Sequence, residues 1–172
     1  MPVKEILQLG NPELWLPSSA VEDVRSSSVV TTISDLGATL SDFRARFGFG
    51  RAIAAPQIGV RSRIIFMNLG SPLALINPTI TSRSIEMMEL WDDCFSFPNL
   101  MVRVRRNAQI VVEYMDEHGA EKILEVRGDV SELLQHEIDH LDGILATDRA
   151  IDLKAFATRV EVERTRSRTA LN

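Results

Sequence analysis

Two histidines one helical turn apart, His136 and His140, constrain this chain more than any other feature, because they fall on the apolar side of a segment that must pack inward. From Asp129 to about Leu145 the spacing predicts a helix, with Leu133, His136, Glu137, His140, Leu141 and Ile144 on one face. Asp129 and Glu132, three residues apart, are expected to start it as a variant capping box. Unpartnered imidazoles facing a core carry a desolvation cost, which a bound divalent ion removes. The run Gln135 to His140 contains His-Glu-x-x-His. At that spacing two imidazoles can grip one ion while Glu137 lies beside it, placed to take a proton from water. Read alone, the pattern is equally a charged helix that matches by chance.

Other segments fix the setting of this helix. Apolar residues Ile33, Leu36, Leu40, Phe43 and Phe47 recur at three- and four-residue steps, predicting a helix from Thr31 to Phe47 with Gly48 as its C-terminal cap. Short β-rich runs follow at 63–69, 73–80, 83–89, 102–105, 108–115 and 122–126, and residues 116–119 form the turn between the last two. Residues 5–24 contain Gly10-Asn11-Pro12 and Leu16-Pro17-Ser18-Ser19, turn chemistry expected in an extended arm without a helix. Residues 153–168 are helix-prone and highly charged, so the end is expected to fray. With no repeat and no linker, residues 1–172 read as one domain; helix, antiparallel strands, then helix indicate an α+β fold.

The formal charge of −5, with Arg103, Arg105 and Arg106 as the one basic cluster, argues against nucleic-acid specificity. No apolar run approaches the roughly 20 residues that span a bilayer, and the N-terminus lacks a secretory pattern, so no membrane is expected and a cytoplasmic location is. The lone Cys94 cannot pair within the chain; it is a small buried hydrophobe, a nucleophile or a metal ligand.

A hydrolytic ion is usually held by three protein ligands with one position open. Cys94, in the polar break 91–98 between strand-like runs, can supply the third, although a buried structural role is the commoner one for a lone cysteine. The segment 48–59 is rich in glycine and alanine and carries Gln57, whose amide N–H suits a developing oxyanion. Without further context it is a turn-rich loop.

Together the three segments resemble, in order and separation, the signature motifs of the peptide deformylases. Gln135-His136-Glu137-Ile138-Asp139-His140-Leu141 matches that family's Q-H-E-x-D-H-L, Ala54-Ala55-Pro56-Gln57 ends its first motif, and Cys94 with Ser96 carries its second. The likeness runs from Leu9-Gly10-Asn11-Pro12 to Leu141-Asp142-Gly143-Ile144-Leu145. It implies removal of the N-formyl group from the initiator methionine of nascent polypeptides, some of them still ribosome-associated, with release of formate. It further implies antiparallel sheets wrapped around the metal-binding helix. By position, Cys94, His136 and His140 would hold one divalent ion, with iron(II) the usual native metal and zinc, nickel or cobalt the substitutes. Glu137 would be the acid/base, and Gln57 with the Phe95 backbone N–H the oxyanion donors.

Two departures bear on substrate choice. Ala52 stands where the first motif has glycine, and Asp92-Asp93-Cys94 replaces E-G-C, so the groove beside the ion is expected to be narrowed or redirected. Asp93 is expected to face solvent, the alternative being that it tunes the metal, and Arg106 to pair with Asp139 behind the helix. Three other readings fit less of the pattern: a hydrolase of another small formyl or acyl amide, a silent binding module, and a Cys94 nucleophile. The last has no use for two histidines at helical spacing.

Overall fold

The computed structural model describes residues 2–169, with side chains through residue 166. Helix α1 spans Ser27–Phe47, four residues longer at its start than the apolar spacing alone indicated, because Ser26 accepts the Val29 N–H as N-cap. Gly48 ends it in the left-handed conformation, φ 78°, as expected. The segment read as a loop after it holds a short strand, β1 (Ala52–Ala54), and a 3-10 turn, Ala55–Ile58, in which the Gln57 side chain accepts the Ala54 N–H.

Six strands follow: β2 (Ile64–Asn68), β3 (Pro72–Arg83), β4 (Met87–Asp93), β5 (Leu100–Asn107), β6 (Gln109–Met115) and β7 (Glu121–Arg127). The runs at 73–80 and 83–89 divide differently from the sequence reading. β3 carries on through residue 83 with register shifts after Ile76 and Ile80, and β4 extends through Trp91-Asp92-Asp93 into what the sequence suggested was a polar break. The chain then enters α2 (Gly128–Leu141), followed by β8 (Phe156–Thr158) and α3 (Arg159–Thr169). The helix-prone segment 153–168 is therefore part strand, paired with β5, and part helix, with α3 continuing to Thr169 where a frayed end was expected.

All pairings between these strands are antiparallel. One sheet has the order β1-β2-β3-β6-β7, the other β4-β5-β8. Helix α2 lies between them and is buried at every residue from Ser131 to Leu141, so it is enclosed rather than merely faced inward. Leu133, Leu134, Ile138 and Leu141 pack on Ile65, Leu75, Ile110 and Val112 of the five-stranded sheet, while Leu36, Leu40 and Phe43 of α1 pack on Ile53, Ile64 and Ile76. The result is the α+β arrangement of antiparallel sheets around a central helix.

Two details of α2 differ from expectation. It ends at Leu141, leaving Ile144 beyond the helix, and Asp129 and Glu132 form no capping box: Arg127 is the N-cap residue, without a side-chain bond. The arm at 5–24 contains one 3-10 turn, Pro12–Trp15, which buries Leu14. Asn77, at φ 51° in the irregular part of β3, clamps the arm by accepting the Val21 N–H and donating to the Val21 carbonyl, both at 2.8 Å. No helix among the described residues is long and apolar enough to cross a membrane.

Candidate metal centre

The turn of α2 between His136 and His140 brings both Nε2 atoms to one point, 3.2 Å apart. Cys94, immediately after β4, places its Sγ 3.2 Å from His140 Nε2. Donor atoms of the three residues all lie within 4.8 Å of one another, and all three side chains are buried. A tetrahedral ion with nitrogens at about 2.0–2.1 Å and sulfur at about 2.3 Å requires ligand separations of roughly 3.3–3.6 Å, so the cluster fits such an ion with small adjustments. The donors are also of the right chemistry, a soft sulfur and two imidazoles.

Around this point the chain supplies a second layer of contacts. Asp92 Oδ1 lies 2.8 Å from His136 Nδ1, which directs the other ring nitrogen toward Cys94 and His140. Burial alone would lower the His136 pKa; Asp92 outweighs it and holds the imidazole well above its usual value. A cation at Nε2 would take the place of that proton. His140 is pushed the other way, first by burial and then by His136, toward the neutral form that metal ligation requires. Asp92, although buried, is kept ionised by His136 and Arg106.

Arg106 is the hub behind the helix, 4% exposed. It donates to Asp92 Oδ2 from Nε and Nη2, at 3.2 and 2.8 Å, and to Asp139 Oδ2 from Nη1 at 2.8 Å. The pairing with Asp139 is the one anticipated from the sequence; the link through Asp92 to His136 was missed. Its signal was present, since a carboxylate two residues before Cys94 on an extended chain points to the same side as Cys94.

Glu137 is buried beside the two histidines, and burial pushes its carboxyl up to about 7. Its Oε2 is buried without a hydrogen-bond partner among the described residues, as suits a group that exchanges a proton with water or substrate. Gln57 Nε2 lies 3.4 Å from both Cys94 Sγ and Ser96 Oγ, so Gln57 sits at the Cys94 end of the cavity. Phe95 stacks on Phe43 with ring centroids 3.8 Å apart. Cys94, Gln57, Phe95, His136 and Glu137 all line one cavity of about 340 Å³.

Both departures from the motif also meet this cavity. Ala52 is buried in its wall. Asp93 neither faces solvent freely nor reaches the ligand cluster: its Oδ2 pairs with Arg159 Nη2 at 2.6 Å, and Arg159 in turn covers the Phe49 ring at 3.8 Å. The physical reason is the placement of α3, whose first residue reaches back across the end of β4.

Known proteins of similar sequence and fold belong to one family. The sequence profile of the polypeptide deformylase family matches residues 3–156. The chain is similar to a peptide deformylase of Pseudothermotoga lettingae, 39% identical over 171 residues that cover 97% of this chain and 96% of the relative. It is likewise similar to peptide deformylase 1 of Prochlorococcus marinus, 34% identical over 175 residues covering 95% and 88%. The crystal structure of a peptide deformylase from Synechococcus elongatus in complex with actinonin matches with a TM-score of 0.81 at 29% identity, covering 95% of this chain and 84% of that one.

Proposed function

This chain belongs to the polypeptide deformylase family, and on that premise we propose that its buried centre removes the N-formyl group from the terminal methionine of nascent peptides, with Cys94, His136 and His140 holding one divalent ion. The observation that carries the proposal is the convergence of Cys94 Sγ and two histidine Nε2 atoms beside a buried, unpartnered Glu137 oxygen. When bound, the ion supplies a Lewis acid that polarises the formyl carbonyl and acidifies water.

Glu137 takes the proton of the attacking water at its carboxylate and passes it to the amine nitrogen as the C–N bond breaks, giving formate and a free amino terminus. Gln57 Nε2 and the Phe95 N–H donate to the oxygen on which charge develops. Asp92 fixes the His136 ring so that Nε2 presents its lone pair, and Arg106 balances the buried charge of Asp92 and Asp139. Burial of this layer keeps bulk water from competing for the same groups.

A thiolate with two imidazoles suits iron(II), zinc, nickel or cobalt, and our reading takes iron(II) as the native ion. Our reading also takes the protein to act in the cytoplasm, on chains as they leave the ribosome. Formate release from formyl-Met-Ala-Ser by protein purified anaerobically tests the function. The account expects release that a chelator abolishes and divalent metal restores; metal-loaded protein that releases none would overturn it.

A further inference from the structure

A methionine side chain is apolar, and a pocket that accepts it is expected to be apolar along its length. The cavity beside the ligand cluster is not. Glu132 lies one turn before His136 on α2, about 6 Å along the axis, so it lines the cavity at the distance of the side chain that follows a formyl group held at the centre. Arg51, just before β1, faces it across the wall, with Nη2 2.8 Å from Glu132 Oε2 and Nη1 donating to the Asp129 carbonyl at 2.9 Å. The Glu132 side chain is 8% exposed and that of Arg51 35%, so the pair is desolvated on one side and open to the cavity on the other. Ala52, Leu133, Phe49 and Phe95 supply apolar lining to the same cavity, and Asp93 is paired with Arg159.

Such a wall is close to electroneutral but rich in hydrogen-bonding groups. A cationic side chain would meet the Arg51 guanidinium, and an anionic one the Glu132 carboxylate. A neutral side chain with both a donor and an acceptor can address the two together. Glutamine has this capacity and is as long and unbranched as methionine. A thioether instead covers the ion pair and strips its water without replacing the lost hydrogen bonds.

We propose that Arg51 and Glu132 determine specificity at this site and extend it to N-formyl peptides whose first side chain is neutral and polar, of glutamine's length. The inference rests on the formyl-hydrolase reading above, and its test separates the two. Formate release is measured from formyl-Gln-Ala-Ser and formyl-Met-Ala-Ser by the metal-loaded wild type and the double variant R51L/E132L. Removing both charges together avoids leaving one buried and unpaired, so the variant is expected to fold. R51M/E132L, which keeps a long flexible stem at position 51, provides a second version.

The wild type is expected to have a kcat/KM for the glutamine peptide equal to or above that for the methionine peptide. Both double variants should shift the ratio at least about tenfold toward methionine, mainly through KM. Calorimetric binding of the product peptides Gln-Ala-Ser and Met-Ala-Ser should show the same reversal without turnover. A wild type at least about tenfold faster on methionine, with a ratio unmoved in both variants, would overturn the assignment and leave formyl hydrolysis standing. Absence of formate from both peptides would overturn the hydrolase reading, and the product-binding ratio would then still decide whether this pair selects the side chain.

Discussion

Replacing Arg106 by methionine removes the guanidinium while keeping most of the volume, and it isolates the role of the buried charge network. The side chain is 4% exposed and makes three hydrogen bonds, two to Asp92 and one to Asp139. Breaking a buried pair by deleting one partner costs about 3–5 kcal/mol, because the remaining charge is left uncompensated. Asp139 keeps Arg149 at 2.8 Å and Asp92 keeps His136 at 2.8 Å, which places the expected loss at the lower end, about 3 kcal/mol. For a chain of this size that lowers Tm by about 6–12 °C. Asp92 is also the group that orients His136, so metal affinity should weaken by about 10- to 100-fold. Thermal unfolding of chelator-treated protein gives the first number and a competitive chelator titration the second. Treatment with chelator matters, because bound metal itself raises Tm. Arg105→Met is the control: Arg105 points out of the same strand, pairs with Glu89 at the surface, and should change stability by no more than about 0.5 kcal/mol. If Arg106→Met matched this control in both Tm and metal affinity, the network would have no part in holding the centre.

Glu137→Gln should retain the metal and lose about 10²- to 10⁴-fold in kcat, since only the proton transfer is removed; metal analysis alongside formate release checks it. Gly50→Ala should lower Tm and slow turnover together. Gly50 has φ 126° and an added Cβ would lie 2.6 Å from the Phe95 ring, which is held against Phe43, so a cost of about 1–3 kcal/mol is expected by thermal unfolding.

The parts of the fold legible in the sequence were those set by strong periodicity. Leu36, Leu40 and Phe43 announced α1, and Leu133 with His136 and His140 announced α2, because burial on a helix imposes a spacing that few alternatives share. The first turn of α1 was less visible: Ser27 and Ser28 carry no apolar signal, and only the Ser26 cap marks the start. The division between β3 and β4 was obscured by bulges that break the alternation. At the site, the two histidines could be read from their own spacing, whereas Cys94 depended on family resemblance, since nothing local to a lone cysteine says what will face it. Glu132 was misjudged for a related reason. Asp129 and Glu132 have the spacing of a capping box, but Arg51, about 80 residues earlier, takes the carboxylate that the cap would have used. Arg159 on Asp93 is a long-range contact of the same sort. Pairings of this kind are set by how the sheets and helices close on each other, and no window of sequence contains both partners.

The metal set is the claim on which the rest of the account depends, and metal K-edge X-ray absorption of anaerobically purified protein addresses it most directly. The account predicts a first shell with one sulfur at about 2.3 Å and two imidazole nitrogens near 2.0–2.1 Å, the sulfur disappearing in Cys94→Ser. A shell of nitrogen and oxygen alone in the wild type would contradict it.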